Sequence, residues 1–114
     1  MFFTNNILAQ DIPSLIKKSG VVYPKVSLAI TNHESNFQKS KLAKTKNNIF
    51  GFKSGNRYKS YSSVYHSILD YAQFEARVIK KYNIRDREHY LKTISKFYAT
   101  SPTWYRKVKS HIKS

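Results

Sequence analysis

The sequence predicts a mainly α protein, an α+β fold in which a helical body and a small β-hairpin lobe flank a substrate groove. Three observations predict it. Apolar residues recur at spacings of three and four along most of the chain, which is the helical period. Residues 47–61 break that rhythm around the turn signal Ser54-Gly55-Asn56, as a hairpin does. The 114 residues are 40% apolar and 15% aromatic, enough for one core and too aromatic for a disordered basic tail.

Residues 1–10 read as an N-terminal extension, apolar in patches at Phe2, Phe3, Ile7 and Leu8, and residues 11–114 as the domain. Asp11 is expected to cap a first helix with Pro13 in its first turn, running to about Lys18 and stopped by Gly20. Pro24 opens a second helix whose stripe is Val26, Ala29, Ile30, His33 and Phe37. Ile49, Phe50 and Phe52 lead into the hairpin, which returns through Tyr58 and Ser60. Ser62 or Ser63 caps the next helix, with Val64, Ile68, Tyr71, Ala72, Glu75, Val78, Ile79 and Tyr82 on its face. Asp86 caps another, with Tyr90, Leu91, Ile94 and Phe97 inside. Ser101-Pro102 starts the last, with Tyr105, Val108 and Ile112 inward. Four or five helices result, without internal repeats.

Lys plus Arg number 21 against 6 Asp plus Glu, a net charge of +15. Such a charge fits nucleic acid, an anionic membrane or an acidic polymer such as a bacterial wall. The absence of cysteine excludes disulfides, zinc-thiolate sites and thiol nucleophiles. No apolar run approaches the ~20 residues of a membrane span. The N-terminus lacks the basic start and long apolar core of a signal peptide. His33, His66, His89 and His111 have no metal-ligand spacing, and three glycines match no phosphate-binding pattern. No cofactor and no metal are therefore expected. No serine sits in a nucleophile elbow. The basic run Lys39, Lys41, Lys44 and Lys46 reads as a solvated face.

Acids are scarce. Asp11 and Asp86 are assigned to caps, and Glu88 suits the first turn of its helix. Glu34, Asp70 and Glu75 remain. Glu34 lies eight residues after Val26, on the same apolar face. A carboxyl half-buried among apolar side chains keeps its proton more readily, which suits a general acid. Spacing alone favours the plainer reading, a glutamate turned to solvent or paired with a cation.

Three segments carry a resemblance. They are Ala29-Ile30-Thr31-Asn32-His33-Glu34-Ser35-Asn36-Phe37, then Ser40-Lys41-Leu42-Ala43, then Asn47-Asn48-Ile49-Phe50-Gly51-Phe52-Lys53. The match continues with Tyr58 and Tyr61, the run from Ser67 to Tyr71, and Tyr98-Ala99-Thr100-Ser101-Pro102-Thr103-Trp104-Tyr105. In order and with similar gaps, residues 12–112 resemble the glucosaminidase family of bacterial cell-wall hydrolases (glycoside hydrolase family 73). The resemblance implies a lysozyme-like fold and cleavage of β-1,4 bonds in peptidoglycan, generally on the reducing side of N-acetylglucosamine. It implies that Glu34 is the catalytic acid and that Tyr98 lies near it and contacts substrate. It places Ser35, Asn48, Phe50 and Gly51 at the groove wall, and makes Tyr58, Tyr61, Tyr98 and Trp104 candidate sugar platforms, although aromatics of this kind also serve as core. It implies peptidoglycan glycan strands and anionic wall polymers as partners and bacteriolytic action in the periplasm or on the wall. No nucleic acid partner and a monomer are expected, and small size without a signal peptide leaves open delivery by a phage particle, a secretion apparatus or lysis, or a place in a larger precursor.

The chain departs from the family pattern twice. Residues 47–69 contain no Asp or Glu, where some members place a second acid; Asp70 is the nearest in sequence, expected to cap or bond nearby backbone. Ser101 replaces the family's usual Asp, and can still cap. A single-carboxylate mechanism is therefore expected, with the substrate's N-acetyl group or a water assisted by Tyr98 completing the reaction. The alternatives are an N-acetylmuramidase or lytic transglycosylase on the same polymer, a non-catalytic peptidoglycan-binding module, and a nucleic-acid-binding domain suggested by charge alone.

Overall fold

The computed structural model describes residues 4–99 and 101–112. Six helices and one two-stranded sheet are found there: α1 Thr4–Lys18, α2 Pro24–Glu34, α3 Lys41–Lys46, β1 Lys53–Ser54, β2 Arg57–Tyr58, α4 Val64–Tyr82, α5 Arg87–Tyr98 and α6 Pro102–His111. The mainly α architecture with a small hairpin is thus the observed one. No helix among the described residues is long and apolar enough to cross a membrane.

The boundaries follow local chemistry. Ser40, Ser63, Asp86 and Ser101 each cap a helix by accepting a backbone N–H from the first turn, satisfying a donor the helix cannot. Ser101 therefore caps α6, as expected of it. Asn47 and Asn83 end α3 and α4 in the left-handed region, which asparagine tolerates.

Two expectations need correction. The first helix begins by Thr4, so Asp11 is an exposed residue within it and caps nothing, and Pro13 is interior. Of the N-terminal extension, residues 1–3 lie outside the described residues. The second helix ends at Glu34 instead of reaching Phe37, because Asn36, Phe37 and Gln38 take φ of +50°, +57° and +67°. Phe37 is consequently exposed. Lys41, Lys44 and Lys46 of the basic run lie in α3, a helix with only Ala43 buried, and Lys41 and Lys44 face solvent as expected.

One core unites the helices. Ile12 and Ile16 of α1, Val26, Ala29 and Ile30 of α2, Ile68, Tyr71 and Val78 of α4, Tyr90, Leu91 and Ile94 of α5, and Trp104 and Val108 of α6 are all buried. Helix α2 packs on both α1 and α6, α5 packs on α6, and α4 packs on α1 and α5. Burying apolar surface of this kind is the main favourable term in folding. Phe97, expected inside, is instead exposed.

Glu75 is the charged group inside this core, 1% exposed. Its two oxygens accept the backbone N–H groups of Val22 (2.7 Å) and Tyr23 (3.0 Å), which lead into α2. Burial pushes its carboxyl above the ordinary value, against the two N–H bonds that lower it. The side chain thus caps α2 from a distance, where Tyr23 offers no side-chain cap of its own. Glu75→Ala is expected to destabilise the fold by about 3 kcal/mol, since two backbone N–H groups lose their partner and a buried side chain leaves a cavity. Equilibrium urea unfolding measures this, and a loss below about 1 kcal/mol would contradict the assignment.

Candidate active site

A groove of about 500 Å³ runs between the hairpin lobe and the helical body. Glu34, Gly51, Phe52, Lys53, Tyr58, Lys59, Asp70, Phe74, Arg77, Phe97 and Tyr98 line it. Of the three acids left unassigned in the sequence, Glu34 and Asp70 line one cavity, together with Gly51, Tyr58 and Tyr98, and Glu75 does not.

Glu34 is the last residue of α2 and half-buried. Trp104 Nε1 donates to its Oε2 at 2.6 Å. The other oxygen, Oε1, lies against Gly51: a β-carbon built there would come within 3.0 Å of it. An indole N–H is donor only, so Oε2 is the accepting oxygen, and a proton carried by Glu34 belongs on Oε1. Trp104 itself is fixed by stacking on Tyr98, with ring centroids 4.7 Å apart and planes 10° from parallel. Tyr98 OH donates to the carbonyl of Phe50 at 3.2 Å. Burial pushes its phenol well above the ordinary value, so Tyr98 is a neutral group at the site and no phenolate base.

The groove wall is built by buried amides and hydroxyls. Thr31, one turn before Glu34, donates to the carbonyl of Ile49 at 2.8 Å, tying α2 to the loop that carries Gly51. Asn48 Oδ1 accepts from Gly51 N (2.9 Å) and Phe52 N (3.3 Å), and its amide nitrogen donates to the carbonyls of Phe52 and Lys59 (both 2.9 Å). One side chain thereby holds both arms of the hairpin. Ser35 Oγ accepts from Gln38 N at 2.9 Å and donates to the carbonyl of Thr31. These bonds hold the left-handed turn that stops α2 at Glu34; its three residues otherwise cost about 1–2 kcal/mol each.

Four residues expected to touch substrate lie beneath the groove. Ser35, Asn48 and Phe50 are each 1% exposed and Trp104 is 7% exposed, and none of them lines the cavity. Their polar atoms are consumed by the bonds just described, and the Phe50 ring stacks on Tyr71 at 4.2 Å. Tyr61 is half-buried and does not line the cavity; its OH donates to Asp70 Oδ2 at 2.5 Å. Tyr58 does present an exposed ring, with Lys53 Nζ 4.9 Å from its centroid.

Asp70 lies inside α4 and caps nothing, contrary to expectation. Lys59 Nζ donates to the same Oδ2 at 3.0 Å. Burial raises its carboxyl, but the bonds from Tyr61 and Lys59 and the charges of Lys59 and Arg77 outweigh that and hold it below the usual carboxylate range. The two groove carboxylates thus have different settings: one held by a neutral indole, the other neutralised by an ammonium. Residues Phe52, Phe74, Arg77 and Phe97 were not singled out from the sequence as groove residues. Asp70, Phe74 and Arg77 share a helix face by their spacing of four and three, which is the signal that links them.

Trp104→Phe keeps a ring on Tyr98 and removes only the N–H. Because Glu34 then loses its orienting donor, activity is expected to fall about tenfold, with the melting temperature lowered by no more than a few degrees. Initial rates beside thermal denaturation check this.

Among the described residues no cluster of three or more potential metal ligands exists. The family model for glucosaminidase, described as mannosyl-glycoprotein endo-beta-N-acetylglucosaminidase, matches residues 9–114. No curated protein and no solved structure matches the chain significantly. A match over nearly the whole chain, on a groove with a held glutamate at a helix end, establishes that the chain belongs to the glucosaminidase family of glycoside hydrolases.

Proposed function

We propose that the protein is a peptidoglycan hydrolase, an endo-β-N-acetylglucosaminidase in which Glu34 is the general acid. The observation that carries this reading is the asymmetric hold on Glu34, with Oε2 bonded to Trp104 and Oε1 beside Gly51, while Glu34 and Gly51 both line the groove. Glu34 Oε1 gives its proton to the bridging oxygen as the C1–O bond breaks. Asp70 has no proton to give, and Lys59 and Tyr61 already occupy its Oδ2. The electron-poor C1 is taken instead by the carbonyl oxygen of the substrate's own N-acetyl group, the substrate-assisted route known among glycosidases. Water then opens that ring, and Glu34, now a carboxylate, takes the water's proton. The family membership supports a glycan substrate, and the net charge of +15 suits an anionic wall. Action in the periplasm or at the wall follows from this reading.

Digestion of purified peptidoglycan, followed by reduction and mass analysis of the fragments, tests it. Reducing-end N-acetylglucosamine is expected. Reducing-end N-acetylmuramic acid would move the cut to the other bond, a fragment lighter by one water would replace hydrolysis by internal ring closure, and no fragments at all would end the enzymatic reading.

A further inference from the structure

The groove is more basic than its chemistry needs. Three cations, Lys53, Lys59 and Arg77, and two carboxylates, Glu34 and Asp70, line it. Lys59 is matched by Asp70 at 3.0 Å. Lys53 and Arg77 form no ion pair among the described residues. They sit on opposite elements: Lys53 on β1 of the lobe, Arg77 on α4, three residues beyond Phe74.

Cleaving a glycosidic bond builds positive charge on the sugar ring. A site that stabilises that transition state presents negative or electron-rich groups to it. Two cations without an ion-pair partner within 4.0 Å in the same groove, Arg77 acting on Asp70 only from further away, oppose it unless the substrate brings the charge that neutralises them. Lys53 also lies over one face of the Tyr58 ring, with its ammonium 4.9 Å from the centroid, so the ring sets the position of a cation at the lobe wall. Resting on the reading above, we propose that Lys53 and Arg77 form a subsite for a carboxylate carried by the stem peptide of the glycan strand, and that the enzyme selects carboxylate-bearing strands over neutral ones. The sugar lies along the groove, and its peptide branch brings the carboxylate to the cationic walls.

The test crosses substrate with variant. Soluble glycan strands bearing stem peptides are used as such, or after conversion of their carboxylates to primary amides with carbodiimide and ammonia. Wild type, Lys53→Gln/Arg77→Gln and Lys41→Gln/Lys107→Gln are compared by kcat/KM, with circular dichroism confirming the fold. The last variant removes equal charge from exposed positions outside the groove. Amidation is expected to lower kcat/KM of the wild type about tenfold, the scale of a few partly screened charge contacts. The groove variant should start about tenfold lower and ignore amidation, whereas the outer variant should respond as the wild type does. A wild type that cleaves both substrates equally overturns the subsite and leaves the hydrolase reading standing. A groove variant that still responds to amidation, or an outer variant that does not, also overturns it. A wild type that cleaves neither substrate fails the hydrolase reading, and the subsite falls with it.

Discussion

Glu34→Gln is expected to lower the rate of peptidoglycan cleavage by about a thousandfold or more, within the range that a general acid contributes, and to leave the fold intact. Glutamine has the same length. Its amide oxygen can accept the Trp104 N–H that now reaches Oε2 at 2.6 Å, so the packing at the end of α2 survives. Only the transferable proton at Oε1 is lost. Glu34→Asp tests the other half of the argument. It keeps the acid but draws it back by one methylene, away from Trp104 and from the groove, and is expected to retain only a few per cent of activity. Both variants are read by turbidity of purified walls and by release of reducing ends, with melting temperature as the control for folding. Full lysis by the glutamine variant would remove Glu34 from the mechanism, and with it the proposal that an indole-held carboxyl is the acid here.

Periodicity placed Glu34 on an apolar helix face in a chain with few acids, and only the resemblance of the segments around it made it the candidate acid. What holds it was not legible there. Trp104 lies 70 positions away, and no local pattern distinguishes an indole that orients a carboxyl from one that stacks on a sugar. The same limit governs Ser35, Asn48 and Phe50. Motif resemblance put them at the groove, but only three-dimensional contacts show that their polar atoms are spent on backbone. Periodicity located the faces of α4 and α5 well, yet it reports which side is apolar and not what covers it. Phe97 continues the stripe of Tyr90 and Ile94 and still ends exposed at the groove mouth. The caps at Ser63, Asp86 and Ser101 were readable because one side chain decides each. The start of α1 was not, since Asp11-Ile12-Pro13 has the composition of a helix start while the helix already runs through it. Helix α3 escaped for the opposite reason, as six residues with one buried side chain leave no stripe to read.

Gly51→Ala is expected to cost about a hundredfold in activity, although it adds one methyl group. Gly51 takes φ +74° and its missing β-carbon would come within 3.0 Å of Glu34 Oε1. That contact is tighter than a carbon and an oxygen accept without displacement. The loop cannot yield easily, because Asn48 grips Gly51 N and Phe52 N and Thr31 anchors Ile49. The carboxyl therefore moves, and its bond to Trp104 stretches or breaks. A shift of about 1 Å in a catalytic group is enough for a loss of this size. Left-handed strain adds about 1–2 kcal/mol of instability, which by itself says nothing about the site. Gly20→Ala separates the two effects. Gly20 has φ +85°, and a β-carbon there would meet nothing within 4 Å. Both variants should melt at similarly reduced temperatures, while only Gly51→Ala loses activity when assayed well below its melting temperature. Equal activities in the two variants would mean that Gly51 is needed for its backbone angle alone, and that the space beside Oε1 does not matter to the reaction.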